Sequence, residues 1–131
     1  MAVDLASQLA RVANIPTLRL VHQGRKSGKS YEVTIWFTIE GDMLYLATAN
    51  SSRQWPRNVT ARPAITLRIG DQTFSGTAEP ITDQAGRQHV SQLVARKYWY
   101  ARPIMWMMKA ATEMGFAKDR SGAFRVRLNP N

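Results

Sequence analysis

Alternating apolar and polar positions predict six β-strands along this chain. The clearest run is 31–40, where Tyr31, Val33, Ile35, Phe37 and Ile39 face one way and the intervening residues, Trp36 among them, face the other. Further strands are predicted at 17–22, 43–49, 64–69, 72–81 and 121–128. Gly-Asp pairs at 41–42 and 70–71 predict tight turns that join neighbouring strands as hairpins.

The spacing of apolar residues predicts helices that flank these strands. Residues 2–14 carry Leu5, Leu9 and Val12 at one helical face, and Ser52 is placed to cap a short helix that Pro63 ends. A longer helix is predicted from about residue 82 to 100, and a second helical piece follows Pro103.

Six strands with short connections predict a mainly β (α+β) fold, a small six-stranded antiparallel barrel with flanking helices. Closure into a barrel is favoured because it removes exposed strand edges. The length of 131 residues predicts a single domain, 1–131.

The charge narrows the choice of partner. The chain has 18 Lys and Arg against 9 Asp and Glu, a net charge of +9. A balance this basic favours an anionic partner, which leaves nucleic acid, an anionic membrane surface or a phosphorylated or polyacidic cofactor. The N-terminal residues do not resemble a signal peptide, and the apolar stretches are too short to span a bilayer, so we expect a cytoplasmic protein.

The composition also limits the chemistry. The chain has no cysteine, which excludes disulfides, zinc–thiolate sites and cysteine nucleophiles. Its two histidines, His22 and His89, are far apart, and the sequence shows no catalytic triad, carboxylate pair or metal-ligand cluster. An enzyme built on this sequence therefore needs a cofactor to supply its reactivity, and we expect no metal.

A basic segment lies between the first two predicted strands. It reads Gly24-Arg25-Lys26-Ser27-Gly28-Lys29-Ser30 and is here called the basic loop. Glycines, cations and small hydroxyls together are typical of an anion-binding loop. The loop is not a phosphate-binding P-loop, because only three residues separate its glycines and a strand rather than a helix follows. The alternative is a solvated basic hairpin turn.

A second segment changes the interpretation of the basic loop. It reads Trp55-x-x-Asn58-Val59-x-Ala61-x-Pro63. In combination with the basic loop, it resembles the deazaflavin (coenzyme F420)-dependent nitroreductase family, over roughly residues 15–100. The resemblance implies a split β-barrel related to the FMN-binding fold of pyridoxamine phosphate oxidases. It also implies an oxidoreductase that transfers a hydride from reduced F420 to a small hydrophobic acceptor, such as a quinone or a nitroaromatic compound.

The resemblance implies cofactor contacts from the basic loop, the start of the second strand, the end of the third strand, the turn that follows and the second segment. The residues implied by matching motifs and by position are Arg25, Lys26, Ser27, Ala47, Ala49, Asn50, Ser51, Ser52, Trp55, Arg57 and Asn58. Arg53 is expected to take the role of a lysine that relatives carry in a longer turn. Val33 and Ile35 are expected to offer apolar walls to a flat ring. The chain departs from several relatives near Tyr31 and Thr34 and has a shorter turn at 51–53, so FMN and FAD stay open beside F420.

The segment 96–108 is aromatic, rich in methionine and cationic. It fits a helix packed over the barrel, a lid over a hydrophobic substrate with Tyr98 or Tyr100 as proton donor, or a basic helix on an anionic membrane. Competing functions are a nucleic-acid-binding small barrel and a non-catalytic flavin or haem carrier. A homodimer through the Trp36 face also remains open.

Overall fold

The computed structural model of the protein describes residues 4–48, 53–98 and 122–129. Within these ranges lie six strands and three helices. In chain order they are α1 (Leu5–Val12), β1 (Thr17–Gln23), β2 (Ser30–Glu40), β3 (Met43–Thr48), α2 (Gln54–Ala61), β4 (Ala64–Ile69), β5 (Gln72–Pro80), α3 (Gln84–Lys97) and β6 (Gly122–Leu128).

The strands form a closed antiparallel barrel in the order β1-β2-β3-β6-β5-β4. Pairing of β1 with β4 closes the barrel, and β6 fits between β3 and β5. The prediction of a six-stranded antiparallel barrel in a mainly β protein is thereby confirmed. In the part of the chain that the structure describes, no helix is long and apolar enough to cross a bilayer.

Strand β2 is long enough to pair with both of its neighbours. Its first part pairs with β1, from Ser30 opposite Gln23 to Trp36 opposite Thr17, and its second part pairs with β3. Ile35 and Phe37 point into the barrel as the alternation predicts, but Tyr31 is exposed and stacks on His22. The predicted inward position of Tyr31 is wrong because the strand end extends past the core.

The helices pack on the barrel through apolar faces, and that of α1 is the one predicted from the sequence. Leu9 and Val12 of α1 join the main core inside the barrel. Val90 and Val94 of α3 pack with Tyr98 in a second cluster against β3 and β6. Helix α3 begins after Asp83, whose side chain accepts the Gly86 N–H at 2.8 Å, and ends at Lys97, earlier than predicted.

Helix α2 covers only part of the connection between β3 and β4. Arg53 precedes it and makes no side-chain cap hydrogen bond. The predicted cap Ser52 lies outside the described residues, as does the second helical piece after Pro103. The backbone N–H of Arg62 donates to the Asn58 carbonyl at 2.7 Å and ends the helix just before Pro63.

Gly76 marks a close approach between β5 and β6. A Cβ atom there would collide with the backbone carbonyl of Arg127 in the neighbouring strand. A side chain at this position would force two paired strands apart, which explains why the apolar alternation of β5 is broken by a glycine.

We expect Gly76→Ala to lower the free energy of unfolding by about 1–3 kcal/mol, the usual cost of forcing extra atoms into a packed site. Thr77→Ala, at the exposed neighbouring position, is the control and is expected to change stability by less than about 0.5 kcal/mol. Urea denaturation of both variants measures the difference, and equal midpoints would contradict the close approach.

Candidate functional site

The basic loop is a closed turn held by its own backbone. Gly24 donates its N–H to the carbonyl of Lys29 at 2.8 Å, and Gly28 donates to the carbonyl of Gly24 at 2.9 Å. Gly28 has a φ of 71°, a conformation that glycine adopts without strain. Ser27 accepts the Lys29 N–H on its hydroxyl oxygen at 3.2 Å, so its hydroxyl hydrogen can still be donated outward.

Arg25 ties this loop to α2 through one buried side chain. The Oδ1 atom of Asn58 accepts both the Arg25 backbone N–H, at 3.2 Å, and the Arg25 guanidinium Nη1, at 2.7 Å. Asn58 is completely buried on the inner face of α2. The guanidinium is therefore fixed by a charge-assisted bond, and the described residues accept no further hydrogen bond from it.

His22 completes the connection behind Asn58. Its Nδ1 atom lies 3.3 Å from Nδ2 of Asn58, and the ring is almost fully buried. Because Oδ1 already serves Arg25, the amide must present its N–H to His22, and Nδ1 must accept. The imidazole is thus neutral with its proton on Nε2, in agreement with burial, which lowers the pKa of His22.

A cleft of about 540 Å³ opens beside Arg25. It is bounded by the basic loop, α2, the connection from β5 to α3, and the start of β6. Its lining residues are Arg25, Pro56, Arg57, Thr60, Pro80, Ile81, Thr82, Arg87, Gly122, Ala123 and Phe124. Among these are three guanidinium groups and no carboxylate, so the cleft, here called the arginine cleft, is suited to an anion.

The structure brings together only part of the predicted site. Arg25 and Arg57 both line the arginine cleft, while Lys26 and Ser27 are exposed in the loop next to Arg25. Trp55 instead points inward and packs against Phe124, with ring centroids 5.5 Å apart. The tryptophan of the second segment therefore supports the wall of the cleft from behind.

Other predicted contacts lie elsewhere. Val33 and Ile35 face the barrel interior opposite Leu20 and Leu18, so the structure gives them a core role and not that of ring walls. Ala47 is half-buried in β3. Arg53 is exposed at the start of α2. Five further predicted residues fall outside the described residues, namely Ala49, Asn50, Ser51, Ser52 and Tyr100.

Tyr98 has a structural role in this geometry. Its hydroxyl donates to the carbonyls of Pro16 and Phe37 and accepts the Phe37 N–H at 3.3 Å. Its ring is 1% exposed and stacks on Trp36 at 4.3 Å. A hydroxyl that is already shared among backbone groups is poorly placed to give a proton to a substrate, which favours a structural role for Tyr98 over the predicted one.

Three residues of the site could not be identified from the sequence. Arg87 reaches the cleft from the first turn of α3, and His22 holds Asn58 from β1. Arg62 lies beside the basic loop, where a Cβ added to Gly28 would meet its guanidinium at 3.6 Å. These contacts join residues that are distant in the sequence, and only the tertiary fold brings them together.

A comparison with family models identifies one family. The model of the F420H(2)-dependent quinone reductase family matches residues 4–111, which include the basic loop, α2 and α3. No curated protein matches the chain.

The fold is similar to that of several solved structures. One is an F420-H2 dependent reductase, 21% identical, with a TM-score of 0.64 over 86% of this chain and 94% of that one. Another is a putative pyridoxamine 5'-phosphate oxidase from Listeria innocua, 11% identical, with a TM-score of 0.67 over 96% and 94%. A third, described as a domain-swapped dimer, is 20% identical, with a TM-score of 0.64 over 86% and 80%. At these identities the likeness establishes the split-barrel fold.

The neutral state of His22 leads to a prediction about pH. Because burial lowers its pKa, the unfolded chain binds this proton more tightly than the folded one. We therefore expect the stability present above about pH 6.5 to be lost as the pH falls below that value, by at most about 1.4 kcal/mol per pH unit.

Urea titrations at pH 7.5 and 5.0 measure this loss. His22→Asn, which keeps an acceptor near Asn58 but does not titrate, should show a smaller loss than the parent protein. His89→Asn is the matched control, because His89 is exposed and pairs with Glu40 at 2.8 Å. A parent and a His22→Asn variant with the same pH dependence would refute a neutral His22.

Proposed function

The chain belongs to the F420H(2)-dependent quinone reductase family, and we propose that its arginine cleft holds the phosphate of coenzyme F420. The protein is an oxidoreductase that uses reduced F420 as hydride donor for a quinone-like acceptor. The observation that carries the proposal is the guanidinium of Arg25, which buried Asn58 fixes at the cleft.

The residues of the cleft fit such a cofactor. F420 carries a phosphate and a chain of glutamates, so it presents several negative charges to a protein surface. Arg25, Arg57 and Arg87 converge on the cleft from three different elements. Guanidinium groups bind phosphate and carboxylate in a bidentate manner, and a side chain that is already fixed loses little freedom when the anion binds.

The basic loop adds donors at the edge of the cleft. Lys26 is exposed and contributes a mobile positive charge that attracts the cofactor over a distance. Ser27 can donate its hydroxyl hydrogen to a phosphate oxygen while its oxygen accepts from Lys29. We assign Arg25, Lys26 and Ser27 to the phosphate and Arg57 and Arg87 to the remaining negative charge.

The bound cofactor supplies the hydride, and the chain supplies binding, orientation and exclusion of water. Phe124, Ile81 and Pro56 give the arginine cleft an apolar wall. The described residues that line the cleft include no acid–base pair, which fits a reaction whose bond-making occurs on the cofactor. A small hydrophobic acceptor, a quinone or alternatively a nitroaromatic compound, is the substrate that we propose.

We expect the double substitution Arg25→Ala and Lys26→Ala to weaken F420 binding at least tenfold, or about 1.4 kcal/mol, because it removes charge-assisted bonds to an anion. The affinity should also become less sensitive to salt, since fewer ion pairs remain to be screened. Titration of tryptophan fluorescence with F420 at 50 and 300 mM NaCl measures both effects.

The matched control is Arg68→Ala with Arg127→Ala, which removes the same charge from exposed positions on the barrel. This control should keep the parent affinity within about twofold at 300 mM NaCl. A dissociation constant that rises to the same extent in both double variants would reduce the role of the loop to bulk charge.

The structural role of Tyr98 can be separated from a catalytic one. We expect Tyr98→Phe to lower the free energy of unfolding by about 1–3 kcal/mol, because backbone groups of Phe37 and Pro16 lose a buried partner. At a temperature well below unfolding, kcat/KM with F420H2 and a quinone should stay within about threefold of the parent protein.

Tyr45→Phe is the control, because it removes a hydroxyl that makes none of these backbone contacts. It is expected to cost less stability than Tyr98→Phe. A loss of kcat of about a hundredfold or more in Tyr98→Phe, with unchanged stability, would restore Tyr98 as a general acid.

A further inference from the structure

A second cavity, of about 410 Å³, lies between the end of α1, the end of β2 and the end of α3. Its lining residues are Ala13, Asn14, Thr38, Ile39, Leu93, Arg96 and Lys97, none of which lines the arginine cleft. Strand β2 starts next to the basic loop at Ser30, and Thr38 lies eight residues further along it. At about 3.3 Å per residue this places the cavity roughly 26 Å from the loop.

Lys97 places a half-buried positive charge at this cavity. Its Nζ atom donates to the Phe37 carbonyl at 2.9 Å and lies 3.4 Å above the centre of the Phe37 ring. Within the described ranges no carboxylate lies within 4.0 Å of it, since the ion pairs found there involve other cations. Burial lowers the pKa of Lys97 to about 8. A half-buried ammonium that has no carboxylate partner in the described ranges can still donate to a bound anion.

Thr38 adds an unsatisfied polar atom to the same lining. Its side chain is 3% exposed, and its hydroxyl oxygen has no hydrogen-bond partner among the residues that the structure describes. Buried hydroxyls are nearly always bonded, so such an atom at the wall of a cavity indicates a place for a ligand.

We propose that this cavity binds a small organic anion, a carboxylate with a short apolar body, as a site separate from the cofactor site. The carboxylate accepts from the ammonium of Lys97 and the hydroxyl of Thr38, and Arg96 adds positive charge at the rim. Ile39 and Leu93 give the apolar body a surface to pack on.

The lining favours a carboxylate over inorganic phosphate. Its deepest cation is a single ammonium, because Arg96 is exposed to solvent, and one buried positive charge matches one negative charge. Apolar side chains contribute to the lining as well, and a fully hydrated dianion would gain nothing from them. The site stands on these contacts alone and does not depend on where F420 binds.

The test uses the full chain with ¹³C-labelled lysine, and it follows the Lys97 side chain by NMR. Benzoate is the probe, benzamide is its uncharged counterpart, and inorganic phosphate is the competing anion. We expect benzoate to shift the Lys97 resonance in a saturable manner and to raise the pKa of Lys97 by at least one unit, because a bound anion favours the charged amine. Benzamide should produce neither effect.

Variants connect this signal to the proposed contacts. Lys97→Met keeps the aliphatic stem over Phe37 and should weaken benzoate binding, measured by calorimetry, at least tenfold. Thr38→Val, which removes only the orphaned hydroxyl, should weaken it about three- to tenfold. Arg127→Met removes one positive charge from an exposed position outside the cavity lining and should leave the affinity within twofold.

Several outcomes would overturn the proposal. These are benzamide binding as tightly as benzoate, phosphate binding more tightly than benzoate, or a Lys97 pKa that does not respond to saturating benzoate. Displacement of benzoate by F420 would indicate that benzoate binds in the arginine cleft, and it would equally refute a separate site. If Lys97→Met does not fold, the response of the parent protein and of Thr38→Val decides.

Discussion

The amide of Asn58 is the contact on which the candidate site depends. It is buried within a small helix, and its two ends serve different segments: Oδ1 holds Arg25 of the basic loop and Nδ2 faces His22 of β1. A buried amide that lost either partner would carry the full cost of desolvation. The loop, the helix and the first strand are therefore fixed relative to one another by a single side chain.

This arrangement explains why an exposed, cation-rich loop has a defined shape. Like charges close together in sequence repel each other and favour an open turn. Here the backbone bonds of Gly24 and Gly28 close the loop, and the Asn58 bond draws one of its cations inward. The remaining cations can spread outward, so the loop combines one rigid donor with mobile charge around it.

The sequence predicts the barrel well because a two-residue period is imposed wherever one strand face is buried. The alternation in 31–40 and the Gly-Asp turns locate the hairpins, and the resemblance points to Arg25 and Asn58. The alternation shows which residues face inward, but it cannot tell a core position from the wall of a ligand site. Val33 and Ile35 were expected beside the cofactor ring and lie in the core. Contacts between elements that only the tertiary fold brings together, such as those of Arg87 at the cleft, leave no local signal in the sequence.

The position of β6 has a consequence for how the protein folds. It is the last strand in the described chain, yet it lies between β3 and β5, so these two strands expose unpaired edges until it arrives. Contacts between segments so far apart in sequence form slowly, and open edges invite pairing with other chains in the meantime. Because Phe124 of this strand also walls the arginine cleft, the cleft is incomplete until β6 has paired with β3 and β5.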